Sequence, residues 1–234
     1  MSGITERILS IRQQLPATVR LIAVTKQVAI PAMREAYAAG IRDFGESRVQ
    51  EVETKLAQLQ DLPGLTWHLI GHLQSNKVQK AIDLFEWIHS VDSLKLAQRL
   101  DQLAAPLQKQ PKICLQVKLQ PDPNKYGWSI AELLADLQKL KDCGNLKICG
   151  LMAIPPLGLD PVEVRSLFQQ ARELAETLQP QFSSPLQLSM GMSGDYTIAV
   201  EEGATMVRLG SILFGDRSDR PQEYLTQDSR VFKG

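Results

Sequence analysis

Short apolar runs alternate along the chain with longer amphipathic segments. The runs cover residues 21–25, 41–44, 66–70, 87–90, 112–119, 146–152, 186–190 and 206–209. They are short and rich in Leu, Ile and Val, the mark of strands buried on both faces. The segments between them repeat their apolar residues at helical spacing, and several carry start signals. Ser47 is followed by Gln50 and Ser129 by Glu132, both in capping-box form. Asp160-Pro161-Val162-Glu163 offers an N-cap, a proline at the first helical position and an acid in the first turn. Residues 1–14 predict an amphipathic helix with Ile4, Ile8, Leu9 and Ile11 on one side. Such alternation predicts a parallel sheet wrapped by helices. Eight strands in 234 residues predict a closed (β/α)8 barrel. The alternative is a doubly wound open sheet, but no G-x-G-x-x-G follows the first strand. No Pro/Gly/Ser linker divides the chain. The expectation is one α/β domain over residues 1–234, with a polar tail over about 217–234.

Composition narrows the function classes. The chain is 44% hydrophobic and 22% charged, with 26 basic and 26 acidic residues. Nothing in that balance points to nucleic acid or to a strongly charged partner. Cys114, Cys143 and Cys149 are odd in number and lack C-x-x-C spacing, so neither disulfides nor a zinc site is expected. A reducing cytoplasm fits them. No signal-peptide pattern and no membrane-length apolar run is read. Nothing demands a dimer, and a monomer is expected.

In a barrel of this kind, chemistry collects at the carboxyl ends of the strands. Lys26 ends the first run and is read as buried there. Burial disfavours an ammonium, lowers its pKa and makes the amine a better nucleophile, hence a candidate Schiff-base former. The alternative is a strand-end lysine that reaches solvent. His68, His72 and His89 fall on or just after strands three and four, as core or supporting histidines rather than metal ligands. Strands seven and eight end in Ser189-Met190-Gly191-Met192-Ser193-Gly194-Asp195 and Arg208-Leu209-Gly210-Ser211. Each is a Gly/Ser turn leading towards a helix, suited to close backbone approach and to anion binding. They are either a phosphate site, where barrels often have one, or two tight turns with capping serines. A lysine and a phosphate cradle together suit pyridoxal phosphate, which has an aldehyde for one and a phosphate for the other. Arg208 either faces the pyridine nitrogen or makes a salt bridge at the barrel rim. A Schiff-base aldolase for a phosphorylated sugar would need the same two features.

On these residues the chain resembles the pyridoxal-phosphate homeostasis family, also called YggS-type or proline-synthase co-transcribed. The resemblance lies in 23–26, 44–51, 67–77, 90–93, 150–152, 188–195 and 207–210, in order over nearly the whole chain. It implies a fold-type III barrel like the amino-terminal domain of alanine racemase, with pyridoxal 5'-phosphate held as an aldimine on Lys26. It implies a phosphate among Ser193, Gly194, Gly210 and Ser211, with Ser189 and Met192 nearby. Arg208 would partner the pyridine nitrogen, and Met152 and His68 would line the pocket. The family usually has Asn where this chain has Ser47. The implied role is vitamin B6 and amino/keto-acid homeostasis without robust catalysis, with apo-enzymes as possible recipients of the cofactor. Weak amino-acid racemization is the alternative. Fold-type III racemases carry a second, β-rich domain with a catalytic tyrosine, and the 234 residues leave no room for it after strand eight. A racemase needs two bases. Lys26 would be one; no obvious second base is offered, Tyr126 and Tyr224 being the side chains left open.

Overall fold

The computed structural model describes residues 3–122 and 125–215. Helix α1 (Ile4–Gln14) precedes eight strands. These are β1 (Arg20–Val24), β2 (Asp43–Glu46), β3 (Thr66–Leu69), β4 (Trp87–Val91), β5 (Lys112–Val117), β6 (Lys147–Ala153), β7 (Gln187–Ser189) and β8 (Met206–Leu209). Each strand is parallel to the next, and β8 pairs with β1 to close the barrel. The helices that follow the strands in turn are α2 (Ile30–Ala38), α3 (Val49–Leu59), α4 (Val78–Leu84), α5 (Leu94–Ala104), α6 (Ile130–Lys141), α7 (Pro161–Leu178), α8 (Tyr196–Glu201) and α9 (Ser211–Phe214). All eight predicted strands are present, and the open-sheet alternative falls on the β1–β8 pairing. Among the described residues no helix is long and apolar enough to cross a membrane.

The main core lies between sheet and helices. Leu21, Ala23, Phe44, Leu69, Ile113, Leu115, Leu151, Val207 and Leu209 face outward and pack with the buried helix stripes. Helix α7 shows why such a stripe forms: Val164, Leu167, Phe168, Ala171, Leu174, Ala175 and Leu178 recur every three or four residues and are all buried. Its start is the expected capping box. The Asp160 carboxylate accepts from the N–H groups of Val162 (2.8 Å) and Glu163 (2.9 Å), and Glu163 accepts from the Asp160 N–H (2.9 Å). Ser129 and Glu132 do the same for α6. Inside the barrel a much smaller apolar cluster holds Ile22, Trp87, Cys114, Cys149, Met152 and Met206. Beside it lie the buried polar side chains of His68, His89, Ser189 and Arg208.

Several sequence expectations need correction. Ser47 and Gln50 form no capping box: α3 starts at Val49 behind Arg48, with no side-chain cap. Ser47 instead packs against Gly71, where a Cβ would lie 2.4 Å from the Ser47 carbonyl oxygen. Strand β2 begins at Asp43 rather than residue 41, because the Ile41 N–H bonds back to Ala36 (3.0 Å) and closes the turn after α2. Ile8 and Ile11 of α1 are buried, but Leu9 is 50% exposed. At 100° per residue, Leu9 lies on another face from its neighbour Ile8. The proposed tail, 217–234, lies outside the described residues.

Candidate functional site

Lys26 sits past the end of β1 rather than within it. The strand stops at Val24, the ladder extends through the Thr25 N–H to Gly45 (2.9 Å), and the chain then turns. Gln27 carries the turn at φ 56°, a left-handed conformation that is costly for a non-glycine residue. Lys26 is therefore half-buried, not enclosed on both faces as the sequence suggested. By strand alternation it follows Ile22 and Val24 on the inner side, over the barrel mouth.

The enclosed lysine is Lys55, on α3. Its ammonium donates to the Thr25 carbonyl (2.7 Å) and to Glu46 Oε1 (2.6 Å). The Thr25 hydroxyl donates to the same oxygen (2.6 Å). Glu46 is fully buried, and its Oε2 has no hydrogen-bond partner among the described residues. Burial pushes the Glu46 pKa up to about 7 against the pull of Lys55. This knot grips the peptide group that joins Thr25 to Lys26, so it fixes the backbone from which Lys26 projects.

Across the β8–β1 seam lie the two Gly/Ser turns. Gly191 opens the first at φ 92°, and a Cβ there would meet the Ala199 Cβ at 2.7 Å, so only glycine fits. The Met192 N–H donates to the Asp195 carboxylate (2.6 Å), which tightens the loop. The Ser193 hydroxyl oxygen accepts from the N–H groups of Gly210 (3.3 Å) and Ile212 (3.4 Å) and ties the turns together. Ser193, Gly194, Gly210 and Ser211 thus form one polar cradle at the carboxyl mouth. The Cβ position of Gly194 has no neighbour within 4 Å, and that of Gly210 lies 3.6 Å from the Val24 carbonyl oxygen. The cradle abuts the strand that leads to Lys26.

Arg208 lies beneath this mouth, inside the barrel and 4% exposed. Among the described residues it makes no rim salt bridge. Its Nη1 donates to Ser189 Oγ (2.7 Å) and its Nη2 to the Ala153 carbonyl (3.1 Å). Burial lowers its pKa to about 10, which still leaves a cation at neutral pH. Two of its five N–H groups are engaged among the described residues. Ser189 also bonds His89 Nδ1 (2.7 Å), so its hydroxyl serves Arg208 and the interior rather than the cradle. His89 Nε2 meets His68 Nδ1 (2.9 Å), and His68 Nε2 meets Asp43 (3.0 Å) at the start of β2. His68 is thus buried deep in the barrel, stacked on Trp87 and two hydrogen bonds removed from Ser189. Burial lowers the pKa of both histidines. Met152 is buried in the inner apolar cluster, and Met192 is half-buried in the first turn.

His72 departs from the core reading. It is exposed at the carboxyl end of β3, paired with Asp92 (2.8 Å) and stacked on Tyr126 with ring centres 3.8 Å apart. Tyr224 lies outside the described residues. Sequence reasoning missed Asp43, Thr25 and Lys55 altogether. For Lys55 a signal existed: it falls in the apolar stripe Val49, Val52, Lys55, Leu59, where a lysine must find an acid.

A closed parallel barrel with a mouth lysine, an adjoining Gly/Ser cradle and a buried guanidinium beneath defines the class. The chain belongs to the family of the alanine racemase N-terminal domain, whose family model matches residues 1–218. Within it the chain is 53% identical over 204 residues to the pyridoxal phosphate homeostasis protein of Synechocystis sp., covering 87% of this chain and 94% of that one. The protein of that name from Escherichia coli is 38% identical over 208 residues, covering 86% and 87%. PipY of Synechococcus elongatus PCC7942, solved with PLP bound, superposes with a TM-score of 0.86 at 55% identity, covering 91% of this chain and all of that one. Alanine racemase of Clostridium difficile 630 shares the fold alone: TM-score 0.76 at 14% identity, covering 97% of this chain and 62% of that one.

Proposed function

We infer that the chain binds pyridoxal 5'-phosphate covalently through Lys26 and serves vitamin B6 and amino/keto-acid homeostasis, without robust turnover of its own. The observation that carries this reading is the conjunction of the mouth lysine with the cradle, in a chain 55% identical to a relative solved with PLP. The residues fit the group. The cradle offers two serine hydroxyls, open space at Gly194, and the Gly210 and Ile212 N–H groups that now donate to Ser193 Oγ. Arg208 keeps N–H donors beyond those the protein engages. Pyridoxal phosphate supplies an aldehyde that bonds an amine and a ring that accepts electrons. Lys26 provides the amine. Ser193, Gly194, Gly210 and Ser211 hold the phosphate, with Met192 beside them. Arg208 faces the ring nitrogen, and its positive charge opposes protonation there. A ring so held is a poor electron sink, which suits storage or delivery better than fast carbon-acid chemistry.

The reading extends to a cytoplasmic monomer built on one barrel, with apo-enzymes as recipients of the cofactor. The test is a spectral titration with pyridoxal phosphate followed by transfer to an apo-enzyme. A visible band that borohydride fixes to the protein, and recovery of the apo-enzyme's activity, are expected. A protein that stays colourless and takes up no cofactor would refute the assignment.

One observation favours a second reading, a weak amino-acid racemase. His72, oriented by Asp92 and stacked on Tyr126, places acid–base groups at the carboxyl ends of β3 and β4. Lys26 follows β1, on another arc of the mouth.

A further inference from the structure

The interior hydrogen bonds form an unbroken chain from one end of the barrel to beneath the other. In order they join Asp43, His68, His89, Ser189 and Arg208, at 3.0, 2.9, 2.7 and 2.7 Å. His68, His89, Ser189 and Arg208 are all buried. Asp43 lies at the amino end of β2, 22% exposed and 3.5 Å from Arg20.

The proton positions follow from the Asp43 end. A carboxylate can only accept, so His68 Nε2 carries the proton given to Asp43. With both rings neutral, the form that burial favours, His68 Nδ1 is bare and accepts from His89 Nε2, and His89 Nδ1 is bare and accepts from the Ser189 hydroxyl. A guanidinium can only donate, so Ser189 Oγ accepts from Arg208; the hydroxyl has a second lone pair, so Arg208 alone would leave the direction open. Every donor points from Arg208 towards Asp43. The aligned dipoles present their negative ends to the cation and their positive ends to the anion, and such chains reinforce themselves in a low-dielectric interior.

We propose that Asp43 is a positioning residue for the cofactor site: through His68, His89 and Ser189 it fixes the direction in which Ser189 holds the guanidinium. The proposal rests on the reading that pyridoxal phosphate lies over Arg208. Asp43 touches neither the cofactor nor the cradle. Reversal of the chain would turn the His89 Nδ1 proton onto Ser189 and leave the serine proton competing with the arginine for space.

Nitrogen-resolved imidazole NMR spectra of the cofactor-free protein at neutral pH read the chain directly. In the wild type both His68 and His89 are expected as neutral rings protonated on Nε2. A wild-type His89 protonated on Nδ1, or a charged imidazolium at either site, overturns the proposal without any variant. Asp43→Ala is expected to shift the His68 and His89 protons together to Nδ1, wholly or in part, and to weaken pyridoxal phosphate retention about fivefold or more. Asp43→Asn keeps an acceptor oxygen, and is expected to retain the wild-type tautomers and most of the affinity. Unchanged tautomers in folded Asp43→Ala, or moved tautomers with unchanged cofactor affinity, would refute the coupling. A wild type that binds no pyridoxal phosphate sinks the functional reading instead. The cofactor-free spectra distinguish the two failures.

Discussion

Glu46→Gln tests the knot that holds Lys26, through the pH dependence of stability. In the folded protein the Glu46 pKa is raised to about 7 by burial, from an ordinary 4.5. The folded state therefore binds this proton more tightly than the unfolded state does. Its stabilising contribution is full below about pH 4.5 and is lost as pH rises through about 7. The displacement is worth about 3 kcal/mol, the free energy of holding a carboxylate where Oε2 finds no donor. Other groups titrate over the same range. His68 and His89, with lowered pKa values, contribute the opposite slope. The difference between wild type and variant isolates Glu46. Urea unfolding of both at intervals from pH 4 to 8 is the assay. The stability of wild type relative to Glu46→Gln is expected to fall by about 3 kcal/mol between pH 4 and pH 8. A difference that stays constant, or that moves in favour of wild type as pH rises, would mean that Lys55 holds Glu46 ionised throughout and that burial is not the dominant influence.

Lys26→Ala should lose the borohydride-fixed visible band yet retain non-covalent binding through the cradle; an unchanged band in that variant would exclude Lys26 as the attachment point. Ser193→Ala combined with Ser211→Ala should weaken pyridoxal phosphate retention about tenfold or more, as loss of hydrogen bonds to a charged group implies, with little change in melting temperature; unaltered affinity by equilibrium dialysis would remove the cradle. Racemization assays over a panel of L-amino acids should show turnover well below about one per second, and rates at or above that would establish an enzyme. Phe168→Ala, at a fully buried position on α7, should cost about 3–5 kcal/mol in urea unfolding.

The barrel was legible because its strands are short runs rich in Leu, Ile and Val and its helices announce their starts. Leu21 to Val24 and Lys112 to Val117 need no tertiary knowledge to be read as buried strands. The α7 box at Asp160 and Glu163 is local chemistry, and it forms as written. Ser47 shows where local reading fails. Its cap signal lost to the burial of Val49 and Val52 and to the close approach of Gly71. Lys26 was located to within a turn, but its burial was overstated because β1 ends two residues earlier. The interior chain lay beyond sequence reasoning, for it depends on register. His68 pairs with Trp87, so His89 stands two residues further along β4. Ser189 pairs with Met206, so Arg208 stands two residues further along β8. Periodicity assigns faces, but it does not say which inward residues share a level.

The composition of the barrel interior bears on what that chain is for. A barrel of this size is usually filled with branched aliphatic side chains. Here the inner apolar cluster is small, and two histidines, a serine and an arginine occupy space that aliphatic residues would fill. Polar groups so placed are weak contributors to stability, since apolar residues of similar volume often serve as well or better. Arg208 is the costliest of them, a buried cation whose hydrogen-bond partners among the described residues include no carboxylate, Asp195 acting on it only through its charge. Stability alone therefore gives no reason to keep it. Its remaining N–H groups do, because a ring nitrogen above it would be held by a fixed positive charge. The histidines and Ser189 then make that arrangement tolerable by turning an oriented hydroxyl oxygen towards the guanidinium. On this view the site consists of two devices with separate duties. The Glu46–Lys55–Thr25 knot sets where the amine stands, and the Asp43-to-Arg208 chain sets the electrostatic field beneath the ring.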